Sequence, residues 1–132
     1  MNITVDTNIL VRAITEDHAK QSRVARKTLE SADVVAVALP TLCELVWVLA
    51  TGYGQGRREI GRAIRRLIAS ANVVVNRPAA EAGLAVLDAG GDFADGVIAF
   101  EGAQLGGKII VSFDTKAVRI LRARGESARL AG

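Results

Sequence analysis

The sequence predicts a three-layer α/β fold with a parallel sheet, and three observations point there. Short β-branched or apolar runs alternate with longer stretches of helical periodicity, the order that strand–helix–strand units require. The 132 residues fit one domain, 1–132, by the prior of roughly 100–200 residues per domain. Half the residues are hydrophobic and only two are proline, so the chain has material for a core and is neither disordered nor collagen-like.

Asn2-Ile3-Thr4-Val5 is a short strand that stops at Asp6-Thr7-Asn8, three good helix caps, before Ile9-Leu10-Val11; a helix is expected from about 8 to 16. A second helix, 19–31, is polar on one side, and 33–37 reads as a buried strand. Pro40 suits a helix start. From Leu42 to Tyr53 only Glu44, Thr51 and Gly52 are not apolar, so this helix is expected to be almost wholly buried. After the turn 52–56 comes an amphipathic helix, 57–71, with Ile60, Ile64, Leu67, Ile68 and Ala71 on one stripe. A strand at 72–75 and a helix at 78–89 follow, ended by Gly90-Gly91. Asp92-Phe93-Ala94-Asp95 opens the next helix, 93–105; 108–112 is a strand, and 115–124 a basic helix.

One cysteine, Cys43, rules out an intrachain disulfide and a multi-cysteine zinc site. No apolar run approaches the ~18 residues of a membrane span, and no leader opens the sequence, so a cytoplasmic protein is the expectation. The net charge of +3 is segregated. Residues 51–76 carry five arginines against one glutamate, and 116–132 carry five basic residues against one acid. Residues 77–115 carry six acids against two bases.

In parallel α/β sheets ligands sit beyond the carboxyl ends of strands. Two predicted strands end at Asp6 and Asp114; Asp95 lies near a helix start, with Asp92 one turn earlier. Glu44 interrupts an apolar helix, where an unpaired buried carboxylate costs several kcal/mol, so it needs a partner or a cleft. Asp6, Asp92 and Asp114 each also read as helix caps. Together these acids suggest carboxylates converging at one sheet edge. Two carboxylates ~4 Å apart repel by about 4 kcal/mol at an effective dielectric of ~20, so a proton is shared or a cation sits among them. Oxygen ligands without Cys or His favour Mg²⁺ or Mn²⁺, an ion that activates water and stabilises charge on a phosphate.

Val5-Asp6-Thr7-Asn8, Glu44 in the third helix, Asp92-Phe93-Ala94-Asp95-Gly96-Val97-Ile98-Ala99 and Ser112-Phe113-Asp114 resemble, in order and spacing, the four motifs of PIN-domain ribonucleases. The compact layout is most similar to the VapC toxins of bacterial toxin–antitoxin pairs. The resemblance implies a three-layer α/β/α fold with a twisted parallel sheet, Mg²⁺- or Mn²⁺-dependent hydrolysis of single-stranded or looped RNA, a cognate antitoxin and a homodimer. By position, Asp6 and Asp95 would be the main metal ligands and Glu44 and Asp114 would complete the site. Asn8 and Ser112 would orient carboxylates, and Asp92 would be accessory or a cap. Two departures stand out. Gly96 replaces the family's usual Ala at a cost of about 1 kcal/mol of helix propensity. Lys116 stands where some of these nucleases have another acid, which weakens the expectation of a second metal.

Arg57, Arg58, Arg62, Arg65 and Arg66, with Lys116 and Arg119, read either as an RNA-facing rim or as solvated helix faces. Trp47, Leu49 and Tyr53 read as core or as an interface. His18 reads as a surface residue and Cys43 as a small buried one. Aromatics make up only 4% of the chain, so extensive base stacking is not expected. Two other functions compete with the nuclease. A phosphoacceptor receiver domain needs a strand-end aspartate where 33–37 runs into Ala38-Leu39-Pro40, and a lysine where 108–112 runs into Phe113-Asp114. A catalytically silent nucleic-acid-binding partner would leave four intact acids without a task.

Overall fold

All strand pairing in the chain is parallel, and no strand exceeds three residues. The structure is a computed structural model and describes residues 1–132. The chain divides into two compact units, Met1–Asn76 and Arg77–Gly132.

The first unit runs β1 (Asn2–Thr4), α1 (Thr7–Ile14), α2 (Ala19–Ser31), β2 (Val34–Ala36), α3 (Leu39–Thr51), α4 (Arg57–Ala69) and β3 (Val73–Val74). The strands lie in the order β1-β2-β3, with Ile3 opposite Val35 and Val35 opposite Val73. Val35, Leu10, Leu42, Leu45, Leu49 and Ile64 are fully buried. The α4 stripe behaves as its spacing predicts: Ile60, Ile64 and Ile68 are buried, and Arg57, Arg58, Arg62, Arg65 and Arg66 are exposed.

The third helix departs from expectation. Leu42, Leu45, Val46 and Leu49 bury one face of α3, whereas Glu44, Trp47 and Ala50 are exposed. Trp47 is 65% exposed, so it is not a core residue. Mean apolarity hid an amphipathic helix because its outward face carries large apolar residues. Cys43 is half-buried rather than buried, and Tyr53, half-buried, donates its hydroxyl to Asp17 at 2.7 Å. That bond, then the Thr15 hydroxyl and the Arg12 charge, holds the Asp17 carboxyl below its ordinary range.

The second unit runs α5 (Arg77–Asp88), α6 (Phe93–Gln104), β4 (Ile110–Ser112), α7 (Thr115–Ala123) and β5 (Ala128–Leu130). β5, which carries no β-branched residue, was not foreseen; it pairs with β4, Ile110 opposite Ala128. Its placement rests on packing, with Ala128 in a core of Val86, Val118, Ile120 and Leu121. Helices α5 and α6 touch through glycine. A methyl group on Gly83 would stand 2.7 Å from the Phe93 ring, and one on Gly96 would collide with the Ala82 carbonyl. Gly96 thus costs helix propensity but permits a close approach that alanine forbids. No helix is long and apolar enough to cross a membrane.

Candidate functional site

In the first unit the backbone leaves β1 at Val5 and turns into α1 at Asp6. The Asp6 side chain caps that helix, accepting from the Ile9 N–H at 3.1 Å through Oδ1. A carboxylate has lone pairs to spare on both oxygens, so the cap fixes the side chain while Oδ2 remains outside that bond. Helix α3 starts at Ala38 without a side-chain cap and carries Pro40 in its first turn. Glu44 follows one turn later and is exposed. Asp6, Thr7, Asn8, Pro40, Thr41 and Glu44 line one cavity of about 250 Å³. Glu44 therefore needs no buried partner, because it lies at a cleft. A second cavity of about 710 Å³, lined by Asn8, Arg12, His18, Lys20 and Gln21 among others, shares Asn8 with the first. His18 is exposed and caps α2 through Nδ1.

In the second unit Asp114 ends β4 and caps α7, accepting from the Ala117 N–H at 3.0 Å. The Ser112 hydroxyl accepts from the Asp114 backbone N–H at 3.0 Å, so it fixes the turn rather than the carboxylate. Asp92 occupies the cap position of α6, yet its side chain makes no cap bond; the cap reading of Asp92 fails. Its carbonyl accepts from the Asp95 N–H at 3.0 Å. Asp95, half-buried in the first turn of α6, has its pKa raised by burial first, then by the charges of Asp92 and Asp114.

A divalent cation suits these donors. Every candidate is a hard oxygen ligand, and the like-charge repulsion at Asp95 is what a cation relieves. Neither unit by itself presents three or more His, Cys, Asp or Glu side chains arranged to hold a metal. An ion there would keep several waters, as Mg²⁺ commonly does. Lys116 and Arg119 are exposed on α7.

The lining residues Thr7, Pro40 and Thr41 escaped sequence reasoning. Thr7 stood within the capping run, and Thr41 stood one turn before Glu44 on its helix face, the signal that could have found it. Arg12, Lys20 and Gln21 carried no motif and were equally silent.

Among curated proteins and among solved structures nothing matches the chain. The PIN domain family matches residues 3–122, a span holding every candidate acid. PIN domains bind nucleic acid, are generally Mg²⁺-dependent nucleases and use divalent ions. With parallel strands, acids at strand and helix ends, and a match over nearly its whole length, the chain belongs to the PIN-domain family.

Proposed function

We propose that this protein is a Mg²⁺- or Mn²⁺-dependent endoribonuclease and the toxin of a toxin–antitoxin pair. The observation that carries the nuclease reading is the second-unit acid group. There Asp95, half-buried in the first turn of α6, is held above its ordinary range by burial first and then by the charges of Asp92 and Asp114. Asp6, Glu44, Asp95 and Asp114 would hold the ion. Bound Mg²⁺ would supply an activated water and neutralise charge developing on the phosphate. The chain's own part is orientation. The helix caps at Asp6 and Asp114 fix two carboxylates, Ser112 fixes the turn before the second, and Asn8 lines the same cavity as the first. Arg57, Arg58, Arg62, Arg65 and Arg66 on α4, with Lys116 and Arg119 on α7, would meet the phosphate backbone.

The partner reading draws on Trp47. An exposed indole on a helix whose other face is core suits burial against a second copy or an antitoxin segment.

The test is cleavage of single-stranded RNA in Mg²⁺ by the wild type and by Asp6→Asn and Asp95→Asn. Asparagine keeps the shape and, at Asp6, the capping bond, while removing the charge. Loss of cleavage in both variants is expected, and wild-type rates in both would reject the nuclease. Expression in a bacterial host should arrest growth, and Asp6→Asn should relieve the arrest.

A further inference from the structure

Five residues of the chain are aromatic. Phe93 is buried, Tyr53 and Phe100 are half-buried, and Trp47 on α3, in the first unit, is 65% exposed. Phe113, at 86% exposed, is the most open large apolar side chain in the protein. It stands between Ser112 and Asp114, where the chain bends out of β4. Its backbone is fixed on both sides: Ser112 accepts from the Asp114 N–H, and Asp114 accepts from the Ala117 N–H, each at 3.0 Å. The ring is thus presented on a held stem immediately before an acid assigned to the metal site. The residues that follow, Asp114, Thr115 and Lys116, are exposed and polar, so the ring faces water without an apolar surround on that side.

We propose that Phe113 is a substrate-positioning residue whose ring stacks on one unpaired base beside the phosphate to be cut. This rests on the nuclease reading of the same acids. A planar ring accepts any base because every base has a π-face. It also demands that the base be unstacked, which selects single-stranded or looped RNA over a duplex. One ring of this kind is compatible with the low aromatic content, which excludes only an extended stacking track. A protein partner is the competing occupant, since Ile109 and Val111, exposed at 57% and 48%, lead along the strand toward the ring. The neighbouring Asp114 favours the base, because an apolar partner over the ring would also desolvate that carboxylate.

The experiment measures binding of a short labelled single-stranded oligoribonucleotide by fluorescence anisotropy in EDTA, beside kcat and KM in Mg²⁺, on the full chain. Phe113→Ala should weaken binding roughly tenfold to a hundredfold, as base–aromatic stacks removed by alanine do, with an unchanged thermal midpoint. Phe113→Trp should restore binding, whereas Phe113→Leu, apolar but not planar, should not. Leu105→Ala removes another open side chain, 83% exposed at the far end of α6, and should change nothing. Duplex RNA should bind Phe113→Ala and wild type alike.

The proposal is overturned by unaltered binding in Phe113→Ala, by rescue with leucine, or by no measurable binding of the wild type. A changed sedimentation coefficient with unchanged RNA binding would assign the ring to self-association and likewise overturn it. Loss or retention of cleavage in Asp95→Asn judges the nuclease separately.

Discussion

The two acid groups of this chain differ in kind. In the first unit Asp6 and Glu44 face an open cavity of about 250 Å³, with Asp6 tied down by a helix cap and Glu44 in solvent. In the second, burial first and then the charges of Asp92 and Asp114 disfavour the ionised form of Asp95. One group offers room and oriented oxygens; the other stores repulsion that a cation would relieve. The second should therefore govern ion affinity more strongly than the first. Binding calorimetry with Mg²⁺ should show the larger loss for Asp95→Asn than for Glu44→Gln.

Activity gives the largest expected effect. Removing the Asp95 charge should cost at least about a hundredfold in kcat/KM, since Lewis-acid stabilisation contributes several kcal/mol and each 1.36 kcal/mol is tenfold. Asp92→Asn lowers the repulsion without removing an assigned ligand and should cost much less. Equal losses in steady-state cleavage would make Asp92 a ligand and redraw the group.

The next effect concerns packing. Gly96→Ala should destabilise the fold by about 1–3 kcal/mol, the usual range for overpacking, because the methyl group meets the Ala82 carbonyl. Helix propensity alone predicts the opposite sign, a gain of about 1 kcal/mol. Urea denaturation decides between them, and a stabilised Gly96→Ala would refute the close helix approach.

A smaller effect is electrostatic. Raising a carboxylate's pKa in the folded state means that its ionisation opposes folding. The contribution is fully present below the ordinary value of 3.8 and is lost as pH rises through the raised one. Without metal, the thermal midpoint of Asp95→Asn should therefore gain on the wild type as pH climbs from acid to neutral, and Mg²⁺ should close the gap by stabilising the wild type. A gap that does not depend on pH would remove repulsion as the distinguishing feature of the second group.

Much of this was legible in the residues. The alternation of β-branched runs with helical periods indicated the α/β class, and capping chemistry marked α1 and α7 through Asp6 and Asp114. At both positions the cap bond uses one carboxylate oxygen, which leaves the other outside it for the proposed ion. Asp92 could not be resolved from sequence, because a cap position and a cap bond are different things. The exposed face of α3 was hidden because Trp47 counts as apolar wherever it points. β5 was invisible because Ala-Arg-Leu has no strand signature and owes its pairing to β4 and the core beneath it. Gly96 read as a helix defect because its reason lies on the neighbouring helix, at Ala82.

A double-mutant cycle on RNA cleavage tests most directly whether the acids of the two units serve one centre. Asp6→Asn, Asp95→Asn and the double variant are compared with the wild type in Mg²⁺. Residues that act as one unit are strongly non-additive. A shared centre predicts that the double variant loses no more than the worse single one, about a hundredfold if each alone loses that much. Losses that multiply would mean that Asp6 and Asp95 act independently, and would contradict a single metal-dependent site.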